Sequence, residues 1–235
     1  MEFDPPLIPA VLIRRYKRFL ADVILPDGRE VTVHCANPGR MIGVAQTGAK
    51  IWLQPSTNPR RKLQWSWMLT EVEGGGLSGI DTSLPNRIVG EALRAGQIAE
   101  VAAYTGIRAE VPYADRSRVD FLLSEPGLPD LYLEVKNVHL RRDGTLAEFP
   151  DCVTARGTRH LGDLMQMVDR GHRAVMLYVV QRTDCDAVGF AADLDPAYAA
   201  KAAEAAAAGV RMIARATQIS TAGISLGRAL PVILQ

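Results

Sequence analysis

The sequence predicts an α/β protein in two parts, a small N-terminal β-barrel and a C-terminal domain in which helices alternate with the strands of a mixed sheet. In the first 80 residues, short strand-like segments are separated by Gly and Pro, whereas longer helical and strand patterns alternate afterwards. Three consecutive glycines, residues 74–76, fall where the pattern changes. We therefore expect one domain over residues 1–80 and another over 81–235, with the Gly-rich segment 73–79 as a flexible joint.

The first part reads as a set of short strands. Residues 19–25 and 29–35 flank Pro-Asp-Gly at 26–28, which is a hairpin signal. Further strands are predicted over 50–54 and 65–72. Short strands with this punctuation are typical of a small barrel of the OB type.

All three tryptophans, Trp52, Trp65 and Trp67, fall in this part. Trp65 and Trp67 share one strand face because side chains alternate along a strand. Such a pair either packs against the barrel or forms a platform on which single-stranded bases stack, and packing is the commoner role.

The second part alternates helices and strands. Glycines at 96, 171 and 209 close the predicted helices. The predicted helices cover 86–95, 154–170 and 197–208, and the predicted strands lie near 107–112, 117–123, 131–138, 174–180 and 210–216. The alternation indicates an α/β domain with a mixed central sheet.

The strand over 131–138 carries the strongest chemical signal. Glu134 and Lys136 are two residues apart, so they project from the same face of an otherwise apolar strand. Asp120 lies in the preceding strand, and the turn-rich segment 125–130 should pair the two strands as a hairpin. We therefore expect Asp120, Glu134 and Lys136 to converge.

Two carboxylates and a lysine in this arrangement suit phosphoryl chemistry. Carboxylate oxygens are the ligands that Mg²⁺ or Mn²⁺ prefers, and a neighbouring lysine can orient water or stabilise developing negative charge. The alternative is a salt-bridged strand pair without chemistry, and spacing alone does not separate the two.

Four further residues are candidates near this patch. Glu91 follows Arg87 by four residues, so it either forms a surface ion pair or reaches the carboxylates as a further ligand or helper. Arg118 shares the face of Asp120 and either pairs with it or contacts a phosphate. Arg156 and His160 lie one turn apart at the start of a helix capped by Asp151 or Thr154, which favours a phosphate site, although His160 could equally be an ordinary surface histidine.

The chain is nearly neutral, with a net charge of +1, but its charge is unevenly distributed. Residues 1–80 carry +3 and the remainder −2. Two basic clusters in the first part are expected to attract the phosphates of nucleic acid. They consist of Arg14, Arg15, Lys17 and Arg18, and of Arg60, Arg61 and Lys62.

Location and redox state follow from simple features. No apolar run is long enough to span a bilayer, and the acidic, Pro-rich start does not resemble a signal peptide. The three cysteines are odd in number and form no Cys-x-x-Cys pair. A reduced cytoplasmic protein without structural zinc and without membrane contact is expected.

Several motifs in order along the chain resemble the sugar fermentation stimulation protein A (SfsA) family. The segments that carry the resemblance cover nearly the whole chain and are residues 5–7, 14–22, 34–41, 58–62, 84–87, 117–122, 134–138 and 149–161. Two positions depart from the family pattern, His139 where Thr is expected and Arg159 where Lys is expected.

The resemblance implies an N-terminal OB-like domain followed by a PD-(D/E)xK restriction-endonuclease-like domain. In that motif Asp120 matches the aspartate, Glu134 the acidic position and Lys136 the lysine, and Glu91 matches the glutamate borne by the helix. It also implies a cytoplasmic protein that binds DNA without sequence specificity and has a regulatory link to maltose and other sugar use.

The expected function is therefore DNA binding with a Mg²⁺- or Mn²⁺-dependent phosphodiesterase site, and RNA remains an alternative substrate. The rival is a non-catalytic, DNA-binding regulatory protein on a nuclease scaffold, because one fold serves many functions. An enzyme acting directly on sugars is disfavoured, since the sequence shows no glycosidase-like carboxylate pair.

Overall fold

The computed structural model describes residues 1–114 and 117–234. The first part consists of strands that are short, as predicted. They are β1 (Ile8–Tyr16), β2 (Leu20–Ile24), β3 (Glu30–His34), β4 (Lys50–Pro55), β5 (Trp65–Glu71) and β6 (Leu77–Gly79).

These strands form a sheet in the order β3-β2-β1-β4-β5-β6. A further parallel pairing joins β3 to β5 at His34 and Ser66, which closes the first five strands into a barrel. Its interior is filled by fully buried apolar side chains, among them Leu12, Val33 and Leu53. The predicted small OB-like barrel is confirmed.

Trp67 belongs to the interior of this barrel. Its side chain is fully buried, and its indole N–H lies 3.1 Å from both the Leu69 carbonyl and the Thr70 hydroxyl. Trp65 is half-buried and packs against the same core. The alternative in which these two rings form a stacking platform is therefore wrong, because the indole of Trp67 is enclosed.

The Gly-rich segment is more ordered than the sequence predicted. Strand β6 pairs with β5, and it also exchanges hydrogen bonds with the C-terminal domain. The Gly79 amide donates to the Gln181 carbonyl at 2.9 Å, and the Thr183 amide donates to the Leu77 carbonyl at 3.0 Å. The expected flexible joint is wrong for residues 77–79, because hydrogen bonds hold them on both sides.

The second part contains three helices and nine strands within the described residues. The helices are α1 (Leu84–Arg94), α2 (Ala155–Asp169) and α3 (Pro196–Ala207). The strands are β7 (Gly106–Ala114), β8 (Ser117–Ser124), β9 (Leu131–Val138), β10 (Leu140–Arg141), β11 (Leu146–Phe149), β12 (Arg173–Val180), β13 (Ala187–Phe190), β14 (Arg211–Ile219) and β15 (Ile224–Leu230).

The central sheet has the order β15-β14-β12-β9-β8-β7, and a small sheet of β10, β11 and β13 lies apart from it. Strand β12 runs parallel to β9 and β14, whereas the other neighbours are antiparallel. The predicted mixed sheet is confirmed. Val89 of α1 packs with Leu133 on one face, and Leu161 of α2 packs with Met176 on the other.

Helix α2 begins where a threonine caps it. The Thr154 hydroxyl accepts a hydrogen bond from the Gly157 amide at 3.1 Å, which satisfies one free N–H of the first turn. Of the two caps that the sequence allowed, the structure uses Thr154.

Asp151 instead joins the two domains. Its carboxylate accepts a hydrogen bond from the amide of Met41 in the barrel at 3.0 Å, and it lies 3.3 Å from Nε2 of His139. A partly buried carboxylate with such partners fixes the barrel loop against the C-terminal domain.

In the part of the chain that the structure describes, no helix combines the length and apolarity that crossing a bilayer requires. All three cysteines are present as free thiols.

Candidate active site

Strands β8 and β9 form the antiparallel hairpin that the sequence predicted, with Leu122 opposite Tyr132. The regular pairing extends to Phe121 and Leu133. Beyond that point Asp120 uses its side chain, and its Oδ2 accepts a hydrogen bond from the Val135 amide at 2.7 Å. Asp120 is thereby held against the segment that carries the other two predicted residues.

Glu134 and Lys136 meet on one face of β9. The Lys136 ammonium lies 2.7 Å from Oε1 of Glu134, and the two side chains are only 12% and 3% exposed, respectively. Two charges this deeply buried require compensation by each other or by a ligand. The structure therefore brings Asp120, Glu134 and Lys136 together.

His160 completes the group from the first turns of α2. It is buried, and its Nδ1 contacts Oε1 of Glu134. The Arg156 Nε–H points to its Nε2 at 3.2 Å, so Nε2 accepts and the ring proton belongs on Nδ1, directed at Glu134. The sequence placed His160 among nucleic-acid contacts, but burial makes it a partner of the glutamate.

One oxygen of Glu134 has its donors and the other has none. Oε1 receives both the Lys136 ammonium and the His160 N–H. Oε2 is buried and has no hydrogen-bond partner among the described residues. A buried carboxylate oxygen without a donor is costly unless a cation occupies the space beside it.

The pKa values of the two carboxyl groups move apart. Burial, and then the negative charge of Glu134, raises the pKa of Asp120 to about 6. Burial alone would also raise the pKa of Glu134, but the hydrogen bond from His160 and the charge of Lys136 outweigh it and lower that pKa. Closely placed carboxylates that perturb each other are characteristic of metal and catalytic sites.

Asn86, rather than Glu91, is the α1 residue that contacts this group. Its amide donates to Oδ1 of Asp120 at 2.7 Å. Glu91 lines the same groove of about 310 Å³ as Asp120, but its carboxylate pairs with the amino group of Met1 at 2.9 Å. The predicted contact of Glu91 with the carboxylates is therefore absent within the described residues, and so is the surface pair with Arg87.

A second groove, of about 770 Å³, lies on the α2 side. It is lined by Tyr113, Ser117, Arg159 and Asp163. The Ser117 hydroxyl donates to the buried carboxylate of Asp163 at 2.5 Å. Neither Asn86 nor Asp163 was predicted as a site residue from the sequence, because their roles depend on contacts with residues more than 30 positions away.

The remaining cationic candidates fall into two groups. Arg14 pairs with Asp22 at 2.8 Å, and Arg15 donates to the carbonyls of Asn37 and Gly39, so Arg15 has a structural role. The other candidates are available at the surface to differing degrees. Lys17, Arg18, Arg60, Lys62, Arg118 and Arg156 are exposed, and Arg61 is half-buried.

The residues present fit a hard divalent cation. Among the described residues, no group of three His, Cys, Asp or Glu side chains is arranged as a ready metal cage. Mg²⁺ does not require one, since it commonly uses one or two carboxylates and keeps several waters. Asp120 and the unpartnered Oε2 of Glu134 supply such a pair.

Comparisons with known proteins agree along the whole chain. Residues 13–79 match the domain family described as SfsA N-terminal OB domain, and residues 83–223 match the Sugar fermentation stimulation protein RE domain. The sugar fermentation stimulation protein homolog of Dinoroseobacter shibae is 58% identical over 233 residues, which are 99% of this chain and 96% of the relative. The homolog of a Ruegeria species is 55% identical, and the similarity covers 98% of this chain and 100% of the relative.

A solved structure is similar as well. Pyrococcus furiosus SfsA in complex with Ca²⁺ has a TM-score of 0.89 and 26% sequence identity to this chain. The similarity covers 99% of this chain and 98% of the other.

Proposed function

Because the chain belongs to the sugar fermentation stimulation protein family, we propose that it binds nucleic acid and cleaves phosphodiester bonds with a divalent cation at Asp120 and Glu134. The observation that carries the proposal is the buried Oε2 of Glu134, which has no hydrogen-bond partner among the described residues. The other oxygen of this carboxylate pairs with Lys136, and its charge acts on Asp120. The Ca²⁺ complex of the P. furiosus relative supports a cation site, and Mg²⁺ or Mn²⁺ is proposed for the reaction.

A cation held by these two carboxylates would lower the pKa of a bound water and offset charge on the phosphoryl oxygens. The side chains of the protein supply the rest. Lys136 would stabilise negative charge that develops on the phosphate or orient the attacking water. His160 would fix the orientation of Glu134 through its Nδ1–H, and Asn86 would do the same for Asp120.

The exposed cations give the protein its proposed affinity for the nucleic-acid backbone. Lys17, Arg18, Arg60 and Lys62 project from the barrel, and Arg118 and Arg156 belong to the domain that carries the carboxylates. Contacts of this kind depend on phosphate rather than on base sequence and weaken as salt increases. We propose DNA as the ligand, with RNA to be compared, in a cytoplasmic protein whose activity influences sugar use.

The proposal is tested by a cleavage panel on single-stranded, duplex and branched DNA and on RNA, with Mg²⁺, Mn²⁺ or EDTA. We expect metal-dependent cleavage that Asp120→Asn abolishes and that Lys136→Ala reduces by about 10²-fold or more. Lys201→Ala is the matched control, because that lysine pairs on the surface of α3 with Glu204. Cleavage that persists in both site variants would exclude this site.

The same assay decides between the two α1 residues. Because Glu91 pairs with Met1 whereas Asn86 holds Asp120, we expect Glu91→Gln to retain activity within about twofold and Asn86→Ala to lose about tenfold. The opposite order would restore the assignment of Glu91 from the sequence motif.

One observation favours the non-catalytic alternative. Lys136 and His160 both converge on Glu134, so the glutamate already has charge compensation from the protein. If the wild-type protein binds DNA but cleaves no substrate of the panel with either cation, a regulatory binding role replaces the nuclease.

A further inference from the structure

Phe19 is the only exposed aromatic side chain in the described part of the chain. It is 46% exposed in the turn between β1 and β2. The other large apolar side chains that are exposed in the described residues are aliphatic. Exposed aromatic rings are common at binding surfaces of proteins.

The turn that presents this ring is fixed by its backbone. Lys17 and Arg18 have φ values of 49° and 62°, which non-glycine residues seldom adopt. The Phe19 carbonyl accepts from the Cys35 amide at 2.9 Å, and Arg15 Nε donates to the Arg18 carbonyl at 3.1 Å. Uncommon backbone conformations that the surroundings hold in place are concentrated at functional sites.

The ring borders a groove of about 550 Å³, which we call the Phe19 groove. Phe19, His34, Pro38, Arg61 and Ser83 lie along its wall. Burial, and then the charge of Arg61, lowers the pKa of His34, so at neutral pH this imidazole is an uncharged aromatic group. The groove therefore combines two aromatic rings with a guanidinium.

The charges around the Phe19 groove favour an anion. Arg61 lies in its wall, and the exposed Lys17 and Arg18 directly precede the ring. Asp81 is the acidic residue of the wall, but its Oδ1 already accepts from the amide and hydroxyl of Ser83 at 2.8 and 2.7 Å. An aromatic face beside cations that form no salt bridge within residues 1–114 and 117–234 suits a nucleobase with its phosphate.

The Phe19 groove also leads toward the carboxylates along one helix. Ser83, in its wall, is the N-cap of α1, and Asn86 of the same helix contacts Asp120. At the usual rise per residue, Ser83 and Asn86 are separated by only about 4.5 Å along the axis. Asn86 in turn lines the groove that contains Asp120.

We propose that the Phe19 groove binds a single-stranded segment of nucleic acid, with a base stacked on Phe19 and its phosphate held by Arg61. This inference rests on the proposed function and adds the strandedness of the ligand and its path toward Asp120. A duplex cannot bind in this way, because stacking on Phe19 requires a base with a free face. The bases of a duplex are already stacked and paired.

The test measures binding of labelled oligo-dT, oligo-U and a duplex of equal length by fluorescence anisotropy, in EDTA so that no cleavage occurs. The variants are Phe19→Ala, Phe19→Leu and Phe19→Trp. Ile24→Ala is the matched control, because it removes an exposed apolar side chain from the same barrel.

We expect Phe19→Ala and Phe19→Leu to weaken single-strand binding by about 5- to 100-fold and to leave duplex binding unchanged. Phe19→Trp and Ile24→Ala should bind as the wild type does or, for Trp, more tightly. The comparison of oligo-dT with oligo-U identifies whether the strand is DNA or RNA.

Two results would overturn this inference and leave the proposed cleavage site at Asp120 and Glu134 unaffected. Unchanged single-strand binding in Phe19→Ala would leave the groove to another ligand, and an equal loss on single strands and duplex would assign Phe19 to barrel packing. A wild-type protein that binds no nucleic acid at all would remove both this inference and the proposed function.

Discussion

Asp151 connects the barrel to the C-terminal domain through a single partly buried carboxylate. Burial raises its pKa, but the adjacent His139 imidazole and the Met41 N–H outweigh burial and hold that pKa well below its ordinary value. A carboxyl group whose pKa is depressed by folding stabilises the protein above its unfolded pKa, and this contribution is lost as the pH falls.

We therefore expect wild-type stability to fall as the pH decreases below about 4, the ordinary pKa of an aspartate. Asp151→Asn should lower the free energy of unfolding at pH 6 by about 1–3 kcal/mol and flatten its decrease between pH 6 and 3. Urea unfolding across this range measures the effect, with the exposed Asp169→Asn as control. An unchanged pH profile in Asp151→Asn would show that this contact contributes nothing.

Some residues of the candidate site could be predicted from the sequence and others could not. The convergence of Asp120, Glu134 and Lys136 could be predicted, because alternation along a strand and a short hairpin determine it. The contact of His160 with Glu134 could not, since it depends on how α2 crosses the sheet. The choice between Glu91 and Asn86 also depends on how a helix packs on the sheet. The sequence motif indicated Glu91, but the packing of α1 brings Asn86 to Asp120.

At the scale of elements, helix α2 positions His160 and contains two glycines in different surroundings. A Cβ at Gly162 would have its nearest neighbour, Lys201, at 3.7 Å, which is an ordinary contact. A Cβ at Gly157 would lie 2.9 Å from the Thr154 side chain that caps the helix and 3.0 Å from Tyr198.

Alanine substitutions should therefore have opposite effects on α2. Gly162→Ala is expected to raise the free energy of unfolding by about 0.5–1 kcal/mol, because alanine has the higher helix propensity. Gly157→Ala should lower it by about 1–3 kcal/mol through crowding at the cap. Thermal unfolding of both variants measures the difference, and equal shifts in the same direction would contradict the packing described.

Long elements with a clear period were predictable, whereas short or interrupted ones were not. Strands β8, β9 and β12 and all three helices appear within a few residues of their predicted bounds. Strand β1 was missed because its apolar run contains a bulge between Leu12 and Arg14 and ends in basic residues. The short strands β6, β10, β11 and β13 have too few residues to show a period.

On the scale of the whole molecule, the barrel and the C-terminal domain, which carries Asp120 and Glu134, are joined by direct contacts. Hydrogen bonds from β6 and from Asp151 join them, and α1 begins at the Phe19 groove and then passes Asp120. Composition predicted two parts with basic clusters in the first. It could not predict that Arg15 stabilises a loop or that an exposed phenylalanine borders the half-buried Arg61, because both facts require the closed barrel.

The central claim is that Asp120 and Glu134 hold one divalent cation. The most direct measurement is an anomalous difference map at the manganese edge from crystals grown with Mn²⁺. We expect a single strong peak about 2.0–2.3 Å from the Asp120 carboxylate and from Oε2 of Glu134, and no peak there in crystals of Asp120→Asn. A map without a peak between these two side chains, from crystals whose Mn²⁺ is visible elsewhere on the protein, would contradict the claim.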